Sequence, residues 1–441
     1  MKNGLLIIVA TFLFVFANAA ASVPADAGIR ADDAVVLEAI ERNFDDQILF
    51  LEETVNQNSG SLNIAGVKKA GAVYTRAFQS LGFETRWIDM PEEMARAGHF
   101  VATRHFGNKR DKGPKLLLIG HIDTVFEENS PFQKFERNGD IAKGPGVNDM
   151  KGGNAVILYA VKALLEAEAI QTGSITVFFT GDEEAAGKPL SISRRDLIKA
   201  GKNADVALNF EGGSNEWAVI GRRGSSGWSL EVTAPQAHSS GIFSDRVGAG
   251  AAFELARILN RFYGEVRGPF GLTFNPGIVA SGTLVEEGAS ISDQSVYGKT
   301  NVVAQKAVAH GGLRFMNADQ LEVTRVAMAK IVEDNLPGTQ ATITFRDSYP
   351  AMEETDANKE LLTKLNAVHA RLGLKPAKSF PPERRGAADI SFVAPYVTSM
   401  DGLGVAGQGA HSPREEMSIA SMKDATRRAA LLIGDLLAEK D

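Results

Sequence analysis

Two adjacent glutamates, Glu183 and Glu184, follow the apolar run Ile175-Thr-Val-Phe-Phe-Thr180 by way of Gly181-Asp182. Neighbouring carboxylates repel each other unless a cation lies beside them. A pair at the end of a buried strand therefore fits a metal site in which one carboxylate ligates and the other activates water. On its own the pair also fits two solvated loop charges. Other strand ends supply further ligand types. Lys115-Leu-Leu-Leu-Ile-Gly120 has the pattern of a strand buried on both faces, and it leads directly into His121-Ile122-Asp123. Residues two apart on a strand share a side, so a carboxylate at Asp123 can hold one ring nitrogen of His121 while the other binds metal. A capped strand end with a surface histidine is the plainer alternative. The glycine-rich turn 144–153 presents Asp149 ahead of an apolar helix expected over 155–167, where Asp149 could equally be the helix N-cap. Its glycine spacing matches neither G-x-x-x-x-G-K-[ST] nor G-x-G-x-x-G. A further strand, 205–210, ends at Glu211. One histidine and three carboxylate positions, each directly after an apolar run, follow the rule that open α/β sheets gather ligands at the carboxyl ends of their strands.

Composition narrows the chemistry. The 441 residues contain no cysteine, which excludes disulfides, thiol catalysis and cysteine zinc sites. Any metal must be held by His, Asp and Glu. A formal net charge of -7 carries no basic footprint, so nucleic acid is not an expected partner. The length suggests two or more domains, and 44 glycines suit a many-stranded α/β protein rich in tight turns. Lys2, the apolar run 5–16 and Ala17-Asn18-Ala19 read as a secretory leader over 1–21, cleaved after about Ala19 or Ala21. The apolar run is shorter than the ~20 residues needed to span a bilayer, so no membrane association is expected after cleavage.

The elements that must position these residues follow in order. Apolar residues at helical spacing over 33–56, and again over 65–81, predict two helices. Strands are expected at 83–88 and 100–104, and a helix at 193–199. After Glu211 the pattern changes. Alternation at Trp228, Leu230 and Val232, helices at 247–263 and 319–335, and strand-like runs at 273–274, 277–280, 312–315 and 342–345 predict a small α+β domain. That domain is placed at 220–349, inserted between the two parts of a catalytic domain, 22–219 and 350–441. The second part resumes helix-then-strand behaviour through 358–372, 389–394 and 397–400. A glycine-rich segment, 402–409, then delivers His411, and a helix over 421–437 closes the chain.

With these residues in hand, the chain resembles the M20 family of zinc-dependent exopeptidases and amidases, and within it the secreted glutamate carboxypeptidases. The matching segments are Gly120-His-Ile-Asp123, Gly144-Pro-Gly-Val-Asn-Asp149, Gly181-Asp-Glu-Glu184, Phe210-Glu211, Ala237-His238-Ser239 and Gly409-Ala-His411-Ser. They occur in the family's order across essentially the whole mature chain. The resemblance implies a mostly parallel α/β exopeptidase domain with an inserted α+β lid and dimerisation domain. It also implies two zinc ions bridged by Asp149, one held further by His121 and Glu211 and the other by Glu184 and His411. Glu183 would be the general base and then acid, and Asp123 the partner of His121. His238 would stabilise the oxyanion, often across a dimer, although a satisfied loop histidine is its alternative reading. Arg314 would hold the substrate α-carboxylate, or else be a solvated cation on an alternating strand, and Asn275 would be a further substrate contact. An oxygen and nitrogen donor set also admits Co²⁺ or Mn²⁺.

The expected activity is hydrolysis of the amide bond to a C-terminal amino acid, in a small peptide or N-acyl amino acid, by a periplasmic or secreted homodimer. An aminoacylase or dipeptidase of the same family is the nearest alternative, and a non-catalytic metal-binding homologue the more distant one. There is one departure from the family pattern. Where glycines often precede the aspartate, this chain has Arg384-Arg385-Gly386-Ala387-Ala388-Asp389, and the extra methyls are expected to narrow or reshape the pocket. His99, His105, His310 and His369 match no motif and read as structural.

Overall fold

The computed structural model describes residues 29–107 and 113–439; the expected leader, 1–21, lies outside them. No described helix is long and apolar enough to cross a membrane. The chain is mixed α/β. Its central six-stranded sheet runs, edge to edge, Glu84–Ile88, His99–Phe106, Gly173–Thr180, Lys115–His121, Val206–Asn209 and Thr398–Met400. The first two pairings are antiparallel, and the three that join the last four strands are parallel. Strand 115–121 shows why it reads as a continuous apolar run. Leu116 and Leu118 enter the core beneath helices Ala31–Asn56, Lys151–Glu166 and Ile419–Ala438, whereas Leu117 and Ile119 face a second cluster with Phe178, Leu197 and Val393. Both faces of the strand are dry, so its one polar exit is its carboxyl end.

Residues 224–347 build a second layer with its own hydrophobic cluster. Four antiparallel strands lie in the order Thr273–Gly282, Lys306–Phe315, Gly224–Thr233, Gln340–Asp347. Helices Ala251–Arg261 and Ala318–Glu333 cover one face, burying Trp228, Leu230, Val232, Leu313 and Phe315 against them. Strand alternation sends Ser225, Gly227, Arg314 and Arg346 to the opposite, polar face. The chain enters and leaves this layer side by side, Arg222 pairing with Met352 and the Ser225 amide donating to the Tyr349 carbonyl.

Several elements differ from the sequence reading. The runs at 273–274 and 277–280 are one strand, bulged between Pro276 and Ile278, because proline has no N–H to give to the ladder. The helix expected from 247 begins at Ala251, after Gly248 and Gly250 take φ values of 74° and 77°. The helix at 193–199 is two short ones, Leu190–Ser193 and Arg195–Gly201, and the 389–394 segment folds as the short helix Ile390–Val393. Hairpins within 136–143 and 284–297 carried no usable alternation and were not anticipated.

Candidate metal centre

The carboxyl ends of strands 115–121, 173–180 and 206–209 open on one cleft, and two trios of ligand atoms converge there. His121, Asp149 and Glu211 form one, and Asp149, Glu184 and His411 the other; within each trio the atoms lie within 4.8 Å of one another. Asp149 joins them. Its Oδ1 is 3.1 Å from His121 Nε2 and its Oδ2 3.1 Å from His411 Nε2. Glu211 Oε1 stands 3.7 Å from His121 Nε2, and Glu184 Oε2 2.9 Å from His411 Nε2. The Asp149 side chain is therefore not a helix cap: the N-cap of helix 151–166 is Met150, with no side-chain cap bond.

Each group is aimed by something behind it. His121 Nδ1 donates to the Asp123 carbonyl at 3.0 Å, which orients the ring so that Nε2 faces the trio, where loss of its proton would make it a metal donor. The Asp123 carboxylate, 3.6 Å from Nδ1, has a second task that spacing alone does not reveal. Its Oδ1 accepts from the Glu183 amide at 2.9 Å, and its Oδ2 from the Glu184 amide at 3.1 Å and the Ser61 hydroxyl at 2.6 Å. One buried carboxylate thus positions both glutamates. Asn154 donates to the His121 carbonyl at 2.6 Å. Gly153 lets helix 151–166 press against the strand end that precedes Glu211, since a Cβ there would sit 1.9 Å from the Phe210 carbonyl oxygen. His411 holds φ at 62°, a left-handed conformation uncommon outside glycine and of the kind found at functional sites.

Sequence reasoning missed Glu415. Its buried carboxylate accepts from the amides of Asn148 at 2.9 Å, Asp149 at 3.0 Å and Gly146 at 3.2 Å. The loop that offers Asp149 is thereby tied to the segment that offers His411. The only sequence signal was an acid four residues beyond His411. Also missed was the buried network behind Glu183. Arg194 pairs with Asp182 and Asp389, Thr180 donates to Asp389 at 2.6 Å, and the Tyr349 hydroxyl donates to the Glu183 carbonyl at 3.3 Å. Asp389 is thus part of the scaffold. The Ala388 methyl before it is buried in the cluster with Leu117, Ile119 and Phe178, so this methyl fills core and not the cleft.

The electrostatics favour cations. Among the described residues, no lysine or arginine pairs with Asp149, Glu183, Glu184 or Glu211; the imidazoles of His121 and His411 are their only ionic partners. Burial, with the Asp149 charge nearby, pushes Glu211 up to about 8. Burial and the charges of Asp389, Glu211 and Glu184 hold Glu183 well above the usual carboxylate range, against the pull of His121. Burial alone would raise Asp149 as well, but the hydrogen bonds from His121 and His411 hold it below the ordinary range. Hydrogen bonds to Asp149 and Glu184 lift His411 to about 10. Crowded acids with only imidazoles for company are the arrangement that divalent ions relieve, and three protein donors per position leave room for water.

The remaining candidates lie on the 224–347 layer, away from the two trios. Arg314 is exposed on the polar face of the sheet. Asn275 stands on the same face one strand outward, its residue pairing with Gly312 as Thr273 pairs with Arg314. His238 is exposed in the loop after strand 224–233 and contacts neither trio; the Ser240 amide donates to its Nδ1 at 3.2 Å. That bond places the proton of the neutral ring on Nε2.

A mainly parallel α/β sheet with two adjoining nitrogen and oxygen trios at its strand ends defines a two-metal hydrolase. The chain belongs to the family described as Peptidase family M20/M25/M40, whose model matches residues 117–435. It is an enzyme of this family of metallopeptidases, which bind two metal ions. The chain is similar to Carboxypeptidase G2 of Pseudomonas sp. (strain RS-16), at 28% identity over 424 residues, 92% of this chain and 93% of that one. It is also similar to the succinyl-diaminopimelate desuccinylase of Gluconacetobacter diazotrophicus, at 25% identity over 363 residues, 79% of this chain and 87% of that one. Among solved structures, aminopeptidase PepT from Bacillus cereus shares the fold, with a TM-score of 0.71 at 17% identity over 89% of this chain and 99% of that one.

Proposed function

We propose that this protein is a metallo-carboxypeptidase of the glutamate type, releasing a C-terminal amino acid from a peptide or N-acyl substrate. The observation that carries this reading is the placement of Glu183. Its amide is fixed by Asp123, its carbonyl by Tyr349, and among the described residues its carboxyl has no lysine or arginine partner. His121, Asp149 and Glu211 would hold one divalent ion, and Asp149, Glu184 and His411 the other, zinc being the family's metal and Co²⁺ or Mn²⁺ compatible with the same donors. When bound, the ions supply Lewis-acid activation of water and of the scissile carbonyl. Glu183 takes the proton of the attacking water on its carboxylate and returns it to the leaving amine, a role suited to a carboxyl whose proton affinity burial raises. Arg314 offers a forked guanidinium to the α-carboxylate of the departing residue, with Asn275 on the same face. His238, an Nε2 donor facing solvent on its own chain, serves the oxyanion of a partner subunit's substrate in a homodimer. The division into a catalytic domain, 22–219 with 350–441, and a lid, 220–349, and export through the leader to the periplasm or medium, belong to the same proposal.

Similarity to a desuccinylase as well as a carboxypeptidase makes the acyl side the point to test. Mass-spectrometric product analysis of the zinc-loaded mature protein on dipeptides and N-acyl amino acids, with Glu183→Gln as blank, decides it. Release of C-terminal glutamate or aspartate ahead of neutral residues is expected. Preference for neutral residues would move the protein to an aminoacylase or dipeptidase.

A further inference from the structure

A cleft of about 520 Å³ opens on the polar face of the 224–347 sheet. Lys188 reaches its wall from the loop four residues beyond Glu184, and Ser348 lies next to Tyr349, whose hydroxyl holds the Glu183 carbonyl. Arg314 and Arg346 line it from the strands on either side of 224–233. Arg314 pairs in register with Ser225, and Arg346 with Gly227, so both point to the same face. The backbones that carry the two arginines stand about 10 Å apart across the intervening strand. The missing side chain at Gly227 lets the Arg346 guanidinium lie across that strand, since a Cβ there would be 3.1 Å from Nη2.

The cleft is unbalanced in charge. Among the described residues, Lys188, Arg314 and Arg346 have no ion pair and no side-chain hydrogen bond. The one carboxylate in the wall, Asp347, is taken by Arg325 at 2.6 Å. Burial, followed by the charges of Arg194 and Arg346, holds Lys188 below its ordinary range. Burial and Arg223 do the same for Arg314. Three like charges gathered without an anion repel one another, and a bound anion removes that penalty. A single α-carboxylate occupies one arginine fork and leaves the other two cations unmatched.

We propose that Lys188 and Arg346 form a subsite for a second carboxylate, so that the residue released is a dicarboxylic one whose α-carboxylate sits on Arg314. This rests on the carboxypeptidase reading above and adds the two residues that select the side chain. The selection arises because replacing the acidic side chain by its amide leaves the gathered cations of the occupied cleft without an anion.

The test compares N-acyl-glutamate with N-acyl-glutamine on the zinc-loaded mature protein and on Arg346→Gln, Arg346→Lys and Lys188→Gln. Loss of one charge-assisted hydrogen bond corresponds to a roughly 10- to 100-fold change. The wild type is expected to favour glutamate in kcat/KM by at least that factor. Arg346→Gln and Lys188→Gln should each lower the glutamate value by roughly 10-fold or more while leaving glutamine within about twofold, and Arg346→Lys should recover part of the loss. Equal cleavage of both substrates by the wild type, or equal loss of both in the variants, overturns the subsite. If no C-terminal residue is released from any substrate, the carboxypeptidase reading fails separately. Calorimetric binding of free L-glutamate and L-glutamine to Glu183→Gln, with and without Arg346→Gln, then decides. Tighter glutamate binding that Arg346→Gln abolishes retains the subsite, and indistinguishable binding removes it.

Discussion

The metal centre and the cleft on the 224–347 layer are built on opposite electrostatic plans. The metal centre gathers Asp149, Glu183, Glu184 and Glu211 with two imidazoles, and backbone amides or buried carboxylates fix the groups from behind. The cleft offers Arg314 and Arg346 from the 224–347 layer and Lys188 from the loop after Glu184, side chains with no bonding partner among the described residues, on a surface open to solvent. Acids held close together store repulsion that divalent ions relieve, and they must be rigid, because a metal site tolerates errors of only about 0.5 Å in its donors. Cations that wait for a transient carboxylate can be mobile, since the substrate orders them on arrival. The difference teaches where each kind of mutation should act: on metal content or turnover at the first, on substrate affinity at the second.

Three substitutions sharpen that contrast, in decreasing order of expected effect. Glu183→Gln removes the proposed proton carrier and keeps the scaffold, so kcat should fall by roughly 10²- to 10⁴-fold with two metals per chain retained by elemental analysis. Turnover near the wild-type level would remove Glu183 from that role. Glu415→Gln disturbs the three amide bonds that hold the Asp149 loop without touching a donor atom. Zinc affinity should weaken by roughly 10- to 100-fold in a competition titration with a chelator, and excess zinc should restore kcat. Unchanged affinity would mean that the loop holds its shape without Glu415. Arg314→Gln should raise KM by roughly 10-fold for substrates with a free α-carboxylate and leave their C-terminal amides unaffected. An equal rise for both would break the contrast between the two regions.

How much of the site could be read in advance depended on how local its cause is. His121, Glu184 and Glu211 follow apolar runs, and a strand buried on both faces can expose a polar group only at its end. Their position was therefore legible from hydrophobic pattern alone. Asp149 and His411 were found through glycine-rich segments, where the backbone conformation and not the side chain carries the signal. Glu415, Ser61, Arg194 and Tyr349 gave no such sign. Each acts across a sequence separation that only folding closes: Glu415 on an amide 266 residues away, Tyr349 on a carbonyl 166 residues away.

The 224–347 layer repeats the lesson at larger scale. Its alternating strands and amphipathic helices announced an α+β layer, yet which residues share its polar face was set by the register between strands far apart in sequence. Arg314 and Arg346 line one cleft only because both pair with 224–233, at Ser225 and Gly227. Local pattern and turn chemistry are written into neighbouring residues, and they determined the fold class and the polar strand ends. The bonds that aim each donor, and the gathering of three cations in one cleft, depend on contacts between distant segments, which only the tertiary structure decided.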